Sequence, residues 1–185
     1  RARLVGSEMC IRDRYYLTAL VKALGPVQEV IGYSKKTFEK RNVENPEVNY
    51  KEINVDIDTH YFGLLKFKSG IIIDFQVTFD IWKPYDPKLE IYGDESSLKL
   101  ADPNNYDGEI FIFDKELYQW ELIYSSPDSQ NNFYRGLGVV NMVEAIKNNT
   151  VSEDELSVPF HILEVMCSLD SYNLDSGWKK IIQQF

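Results

Sequence analysis

Through the middle of the chain, apolar and polar positions alternate with little interruption. Ile53, Val55 and Ile57 form one alternating set, and Tyr61, Gly63, Leu65 and Phe67 a second. Ile71, Ile73, Phe75, Val77 and Phe79 form a third. A period of two puts each set on one side of an extended strand. Ser69-Gly70 separates the last two sets, which predicts an antiparallel hairpin. Asp74, Gln76 and Thr78 lie between the apolar positions, so the opposite face is expected to meet solvent or a partner.

A different period governs the two ends. Tyr16, Leu17, Leu20, Val21 and Leu24 keep helical spacing, and Gly25-Pro26 ends that helix, since glycine accepts the left-handed cap and proline cannot continue. Two further helices are predicted. One covers 136–148, with Leu137, Val140, Val143 and Ile146 on a stripe. The other covers 159–172, with Phe160, Leu163, Met166 and Leu169, Pro159 suiting its first turn. Other strands are expected at 27–38, 88–92, 97–100, 109–114 and 118–124, with a short one near 179–182. Turns at Gly93-Asp94 and Asp107-Gly108 separate some of them, and polar loops fall at 42–49 (with Pro46) and 128–132. Strands flanked by helices at both ends predict an α+β fold: an open, predominantly antiparallel β-sheet with helices packed on one face.

The totals narrow the class. With 185 residues, 44% hydrophobic and 14% aromatic, the chain can bury a core and is not a disordered polymer. No apolar run approaches the roughly 20 residues of a membrane helix. A formal charge of −9 without a Lys/Arg cluster offers no footprint for nucleic acid. Cys10 and Cys167 do not form a disulfide framework; Cys167, inside an apolar helical pattern, is expected to be a buried thiol, and a reducing cytoplasm follows. The sequence Asn148-Asn149-Thr150 matches the glycosylation acceptor pattern, which reads as chance without a secretory context.

Residues 1–14 (RARLVGSEMCIRDR) differ from the rest. They carry Arg1, Arg3, Arg12 and Arg14 against only Glu8 and Asp13, and no periodicity leads into the helix. SEMCIRDR resembles translated adapter sequence at the ends of assembled reading frames. Residues 1–14 are therefore expected to be non-native, the alternative being a natural N-terminal arm, with one domain at 15–185.

Candidate chemistry is sparse. Walker A, His-Glu-x-x-His, Cys-x-x-Cys and Gly-x-Ser-x-Gly patterns do not occur, and no metal site is expected. Gly136-Leu137-Gly138 lacks the third glycine and the leading strand of a dinucleotide fingerprint, so close packing at a helix start is its expected role. His161, between Phe160 and Ile162, is expected to be a hydrogen-bonded packing residue. His60, between two alternating runs, either packs or faces a cleft.

Three stretches in order carry a resemblance: YYLTALVKALGPV at 15–27, LEIYGDESSLKLADPN at 89–104 and RGLGVVNMVEAI at 135–146. Together they resemble the C-terminal domain of the Gfo/Idh/MocA oxidoreductases, over nearly all of 15–185. The resemblance implies the substrate-binding and oligomerisation domain of an NAD(P)-dependent enzyme that takes hydride from a sugar or polyol hydroxyl. NAD or NADP would bind a missing N-terminal Rossmann domain, which also supplies a Lys to the substrate hydroxyl, and no cofactor is expected on this fragment, which alone would be inactive. Homo-oligomers through the sheet are also implied.

Family members carry Asp-x-Gly-x-His/Tyr at the first helix. Its His/Tyr position falls on Tyr15, followed by Tyr16, while the Asp and Gly positions fall on Ile11 and Asp13, so the motif is broken. The Tyr form, LGPV and SKKTF at 34–38 resemble a sugar- or polyol-oxidising subgroup. Tyr15 is thereby a candidate hydrogen-bonding partner of the substrate oxygen, or else a helix-start aromatic packed on the sheet. Asp80 and Trp82 resemble the family's Asp-x-Trp before a loop, here 83–87, at the mouth of the site; Trp82 either stacks on a sugar or covers the sheet edge. Arg135 either anchors substrate or cross-links loops. Tyr16, His60, Asp80, Trp82 and Arg135 complete the expected substrate-binding set. The alternative is a self-standing, non-enzymatic carbohydrate-binding or scaffold domain.

Overall fold

The computed structural model describes residues 14–42, 52–82, 89–105, 107–126, 136–150, 154–170 and 177–185. The expected loops at 42–49, 83–87 and 128–132, together with Cys10, Ile11, Asp13 and Arg135, lie wholly or mainly outside them. The α+β expectation holds: helices and antiparallel ladders make up the chain. It divides into two compact units, 1–81 with 153–185, and 82–152.

In the first unit, helix α1 (Arg14–Leu24) ends at Gly25, whose φ of 87° is the left-handed stop the sequence predicts. Strands β1 (Val27–Lys35), β4 (His60–Phe67) and β5 (Ile72–Thr78) follow in one antiparallel sheet, with β2 (Lys40–Asn42) and β3 (Glu52–Asn54) as a separate short ladder. The expected hairpin is β4–β5, turning at Gly70 with φ 90°. β1 stops at Lys35, short of the predicted 38. A two-residue strand, β10 (Lys179–Lys180), adds to the outer edge of β1 and gives the order β10-β1-β4-β5.

Alternation assigns the faces. Val30, Gly32, Tyr61, Gly63, Leu65 and Phe75 point to one side and are buried; Tyr33, Phe62, Lys66, Asp74 and Gln76 point to the other. Helix α3 (Asp154–Asp170) covers the first side, and α1 packs against α3 through Leu17, Leu20 and Val21. Gly32 and Gly63 are directly paired, and their missing side chains let α3 sit close. A Cβ on Gly32 would stand 2.9 Å from Leu169 Cδ2, and one on Gly63 would stand 2.5 Å from the Ile31 carbonyl oxygen.

α3 departs from its predicted form in three ways. It starts at Asp154, so Pro159 lies inside it rather than in its first turn. There Pro159 forgoes the bond to the carbonyl of residue 155. The buried stripe is His161, Ile162, Val165, Met166, Ser168 and Leu169, while Phe160 and Leu163 are exposed. Cys167 shares their outward side and is exposed, not buried. The helix is apolar nearly all round, so apolar spacing alone could not choose between its faces.

His161 fastens three segments. It is fully buried, its Nε2 accepts the Val27 backbone N–H at 2.9 Å, and its Nδ1 lies 2.5 Å from the Gln183 carbonyl oxygen. An acceptor at Nε2 leaves the ring proton on Nδ1, which donates to that carbonyl. Glu164, one turn on, accepts N–H bonds from Ile182 at 2.8 Å and Gln183 at 2.7 Å. Gln184 returns the contact by donating to the Val27 carbonyl at 3.1 Å.

The second unit holds a four-stranded antiparallel sheet of β6 (Glu90–Tyr92), β7 (Ser97–Lys99), β8 (Glu109–Asp114) and β9 (Gln119–Ser125) in sequential order. Helix α2 (Leu137–Asn148) forms close to its predicted bounds and ends with Asn149 in the left-handed conformation. Its apolar stripe (Leu137, Val140, Val143 and Ile146) is exposed.

The glycine pair gives a direct test. Gly63→Ala is expected to lower stability by about 3 kcal/mol through overpacking, read from the urea midpoint. Gly138→Ala, on an open helix surface with nothing within 4 Å, is expected to be neutral or slightly stabilising.

Candidate functional site

The strand ends of the first unit gather a buried polar group around Asp80. Arg41 at the centre of β2 donates through Nη2 to Asp80 Oδ1 at 2.8 Å and to the Phe79 carbonyl. Thr59, just before β4, donates its hydroxyl to Asp80 Oδ2 at 2.7 Å. The Thr59 carbonyl accepts the Phe79 N–H at 2.9 Å, and the Thr59 N–H donates to the Lys35 carbonyl at 3.1 Å. The Asp80 N–H donates to the Thr78 hydroxyl at 3.0 Å. One carboxylate therefore ties together β2, the end of β5 and the segment entering β4.

Asp80 has only 7% of its side chain exposed. Burial pushes its carboxyl pKa up, but the hydroxyls of Thr37 and Thr59 and the Arg41 guanidinium together overcome this and hold it below the usual 3.8. Both oxygens are engaged within the protein, so this carboxylate is built to stay ionised and to brace the strand ends. Beside it, Ser34 donates to Asp58 Oδ2 at 2.5 Å.

His60 opens β4, paired with Lys35 on β1 and Thr78 on β5. It is half-buried and alternates with the buried Tyr61, so it belongs to the sheet face turned away from α3. Its neighbour Thr59 bonds Asp80, and the structure thus brings His60 and Asp80 to one end of the sheet. Tyr15 and Tyr16 sit on α1, on the helix-covered side. Tyr15 is 41% exposed, with the Arg14 guanidinium 5.4 Å from its ring centroid. Tyr16 is half-buried. Trp82, assigned to the second unit, is fully open to solvent at 102% relative exposure. Arg135 lies outside the described residues.

Sequence reasoning missed Arg41, Thr37 and Thr59 as partners of Asp80, because the pairing spans separate strands and no local spacing encodes it. It also missed a cavity of about 600 Å³ in the second unit, lined by Lys99, Asp102, Asp107, Glu109, Phe111 and Ser125 among others. Among the described residues, no group of three His, Cys, Asp or Glu side chains is arranged to hold a metal, and no helix is long and apolar enough to cross a membrane.

The depressed Asp80 pKa fixes the sign of its pH dependence. Its stabilisation is complete above the ordinary carboxylate value of 3.8 and is lost as pH falls through the lower folded value. Asp80→Asn is expected to cost about 2 kcal/mol at pH 7. The gap to the unaltered protein should close below pH 3.8, which denaturant titrations at several pH values would measure.

Residues 14–99 match the family model of the GFO/IDH/MocA C-terminal domain. No curated protein sequence matches the chain. Among solved structures, the apo form of levoglucosan dehydrogenase superposes with a TM-score of 0.66 at 12% identity, over 93% of this chain and 50% of its own. An oxidoreductase domain protein from Kribbella flavida gives 0.64 at 18% identity, over 94% and 51%. An NAD binding oxidoreductase from Klebsiella pneumoniae gives 0.60 at 15%, over 92% and 50%. The chain spans about half the length of these proteins, and at such identities the likeness is one of fold. Over residues 14–99 the chain is therefore similar to the GFO/IDH/MocA C-terminal domain.

Proposed function

We propose that this chain is the substrate-binding and oligomerisation half of an NAD(P)-dependent oxidoreductase acting on a sugar or polyol hydroxyl. The observation that carries the reading is the family match, which begins at the first turn of α1, where Tyr15 presents an exposed phenol. In support, levoglucosan dehydrogenase, which has this fold, has been solved with NADH and levoglucosan. A nicotinamide held outside this chain would supply the hydride acceptor, and the hydroxyl proton would then pass to a base.

Among the described residues, the Gly136-Leu137-Gly138 helix start does not suit a dinucleotide. Gly136 caps α2 in an ordinary right-handed conformation, and the Gly-Leu-Gly sequence lacks the third glycine that pyrophosphate approach requires. No step is therefore routed through the cofactor on this chain, and a separate Rossmann domain is its proposed holder. The part left to this chain is to position a hydroxyl. Tyr15 offers a phenol that can donate to or accept from the substrate oxygen, with Tyr16 next to it. His60 lies on the other face of the sheet, which favours the tyrosines as the substrate-facing pair.

That other face is the proposed subunit contact. Ile31, Tyr33, Phe62 and Leu64 run across its centre, with the Lys66–Glu29 ion pair (3.0 Å) at one end and Lys35 and His60 at the other. An apolar centre with a charged rim fits a second copy of the same face.

Two measurements test the reading. Isothermal titration of this chain with NADH and NADPH is expected to give no binding; micromolar affinity for either would overturn the division of labour. In sedimentation, the protein is expected to be oligomeric and Phe62→Asp to shift it to monomer. A monomeric unaltered protein at all concentrations would remove the subunit contact.

A further inference from the structure

The second unit contains a built depression that the proposed reaction does not use. Its floor comes from strand register. Lys99 on β7 pairs with Phe111 on β8, and Glu109 pairs with Ser125 on β9. Glu109 and Phe111 are two apart, so Lys99, Glu109, Phe111 and Ser125 share one face of the sheet. The connection from β7 to β8 rises over that face and brings Asp102, Asn105 and Asp107 to the rim of the same cavity of about 600 Å³. Pockets that take small organic ligands span roughly 300–1,000 Å³.

The connection is fixed by its own bonds. Asp102 Oδ1 accepts the Asn104 N–H at 2.9 Å, and the Asp102 carbonyl accepts the Asn105 N–H at 2.9 Å. Gly108 has φ 147°, and a Cβ there would stand 2.6 Å from the Ala101 Cβ, so only glycine lets the loop fold back on Ala101. The Gly108 carbonyl accepts the Ser126 N–H at 3.1 Å, anchoring the loop to the end of β9. Asp107 and Glu109, flanking this glycine, are thereby held at the cavity.

The lining selects a ligand class. Three carboxylates face one ammonium, which disfavours phosphate, sulfate or a nucleotide. The described acidic residues form no cluster arranged for a metal. What remains is a mixture of carboxylate acceptors, the Asn105 amide, the Ser125 and Ser126 hydroxyls and the Phe111 ring. Carboxylates accept from adjacent hydroxyl groups, amide and hydroxyls both donate and accept, and an aromatic face attracts polarised C–H bonds. The geometry points to a second carbohydrate site here: a pocket for a neutral, polyhydroxylated molecule, independent of the α1 site and of any cofactor.

Lys99 makes the site observable. Its Nζ lies 4.1 Å from the centroid of the Trp120 ring, so a ligand that engages Lys99 perturbs the indole stacked against it. The experiment follows the Trp120 indole resonance by heteronuclear NMR, assigned with Trp120→Phe, during titration with D-glucose, sorbitol, sodium sulfate and calcium chloride. The expected result is a saturable shift with glucose or sorbitol at a midpoint of about 1–10 mM, and none with sulfate or calcium. Glu109→Gln and Asp107→Asn, near-isosteric and on the surface, should each weaken the midpoint about fivefold or more. The proposal is overturned by the absence of a saturable polyol shift, by unchanged affinity in both variants, or by saturation with sulfate or calcium alone. Failure of the α1 reading would appear instead at the Tyr15 and Tyr16 resonances and leave Trp120 untouched.

Discussion

The first unit depends on one buried imidazole. His161 accepts from the first residue of β1 and donates to the C-terminal segment, which makes helix α3, strand β1 and the chain end a single body. The ring has no spare hydrogen-bonding capacity, and its full burial makes any unpaired nitrogen costly. Glu164 and Gln184 extend the same fastening by one residue on either side. The edge strand β10 needs this support, because a two-residue ladder has little pairing of its own.

With α3 fixed at one end by His161, its other end must meet the sheet closely. The Gly32–Gly63 pair permits that approach, with Leu169 filling the space left by both absent side chains. α1 then packs on α3, so the position of Tyr15 is tied to the sheet through that helix. At the far end of the strands, the Asp80 group does the equivalent work with charge: a buried carboxylate with one guanidinium and two hydroxyls holds loops that would otherwise splay. Helix packing fixes one end of the platform and a polar lock the other.

Much of this could be read from the sequence, and the exceptions share a cause. The β4–β5 hairpin, the Gly25-Pro26 stop and the buried face of α1 were legible because each is encoded locally, by a period or a turn residue. The face of α3 was not, since Leu156, Phe160 and Leu163 are as apolar as the residues it buries, and only the sheet beneath selects among them. Cys167, expected to be buried, lies on the same outward side for the same reason. His161 was correctly expected to be a packing histidine, but its two partners lie 134 and 22 residues away in the chain. The resemblance places Asp80 at the mouth of the site; in the structure both its oxygens have internal partners, and Arg41 and Thr59 carry no local signal. The second unit was visible as strands and turns, but its cavity arises from cross-strand register.

The claim on which the rest stands is that His161 is neutral at Nε2, with its proton on Nδ1, and bridges β1 to the chain end. Long-range nitrogen–proton NMR of the imidazole measures this directly. The expected result is an unprotonated Nε2, a proton on Nδ1 and a Val27 amide that exchanges only with global unfolding. A proton on Nε2, or a Val27 amide that exchanges freely in the native state, would contradict it.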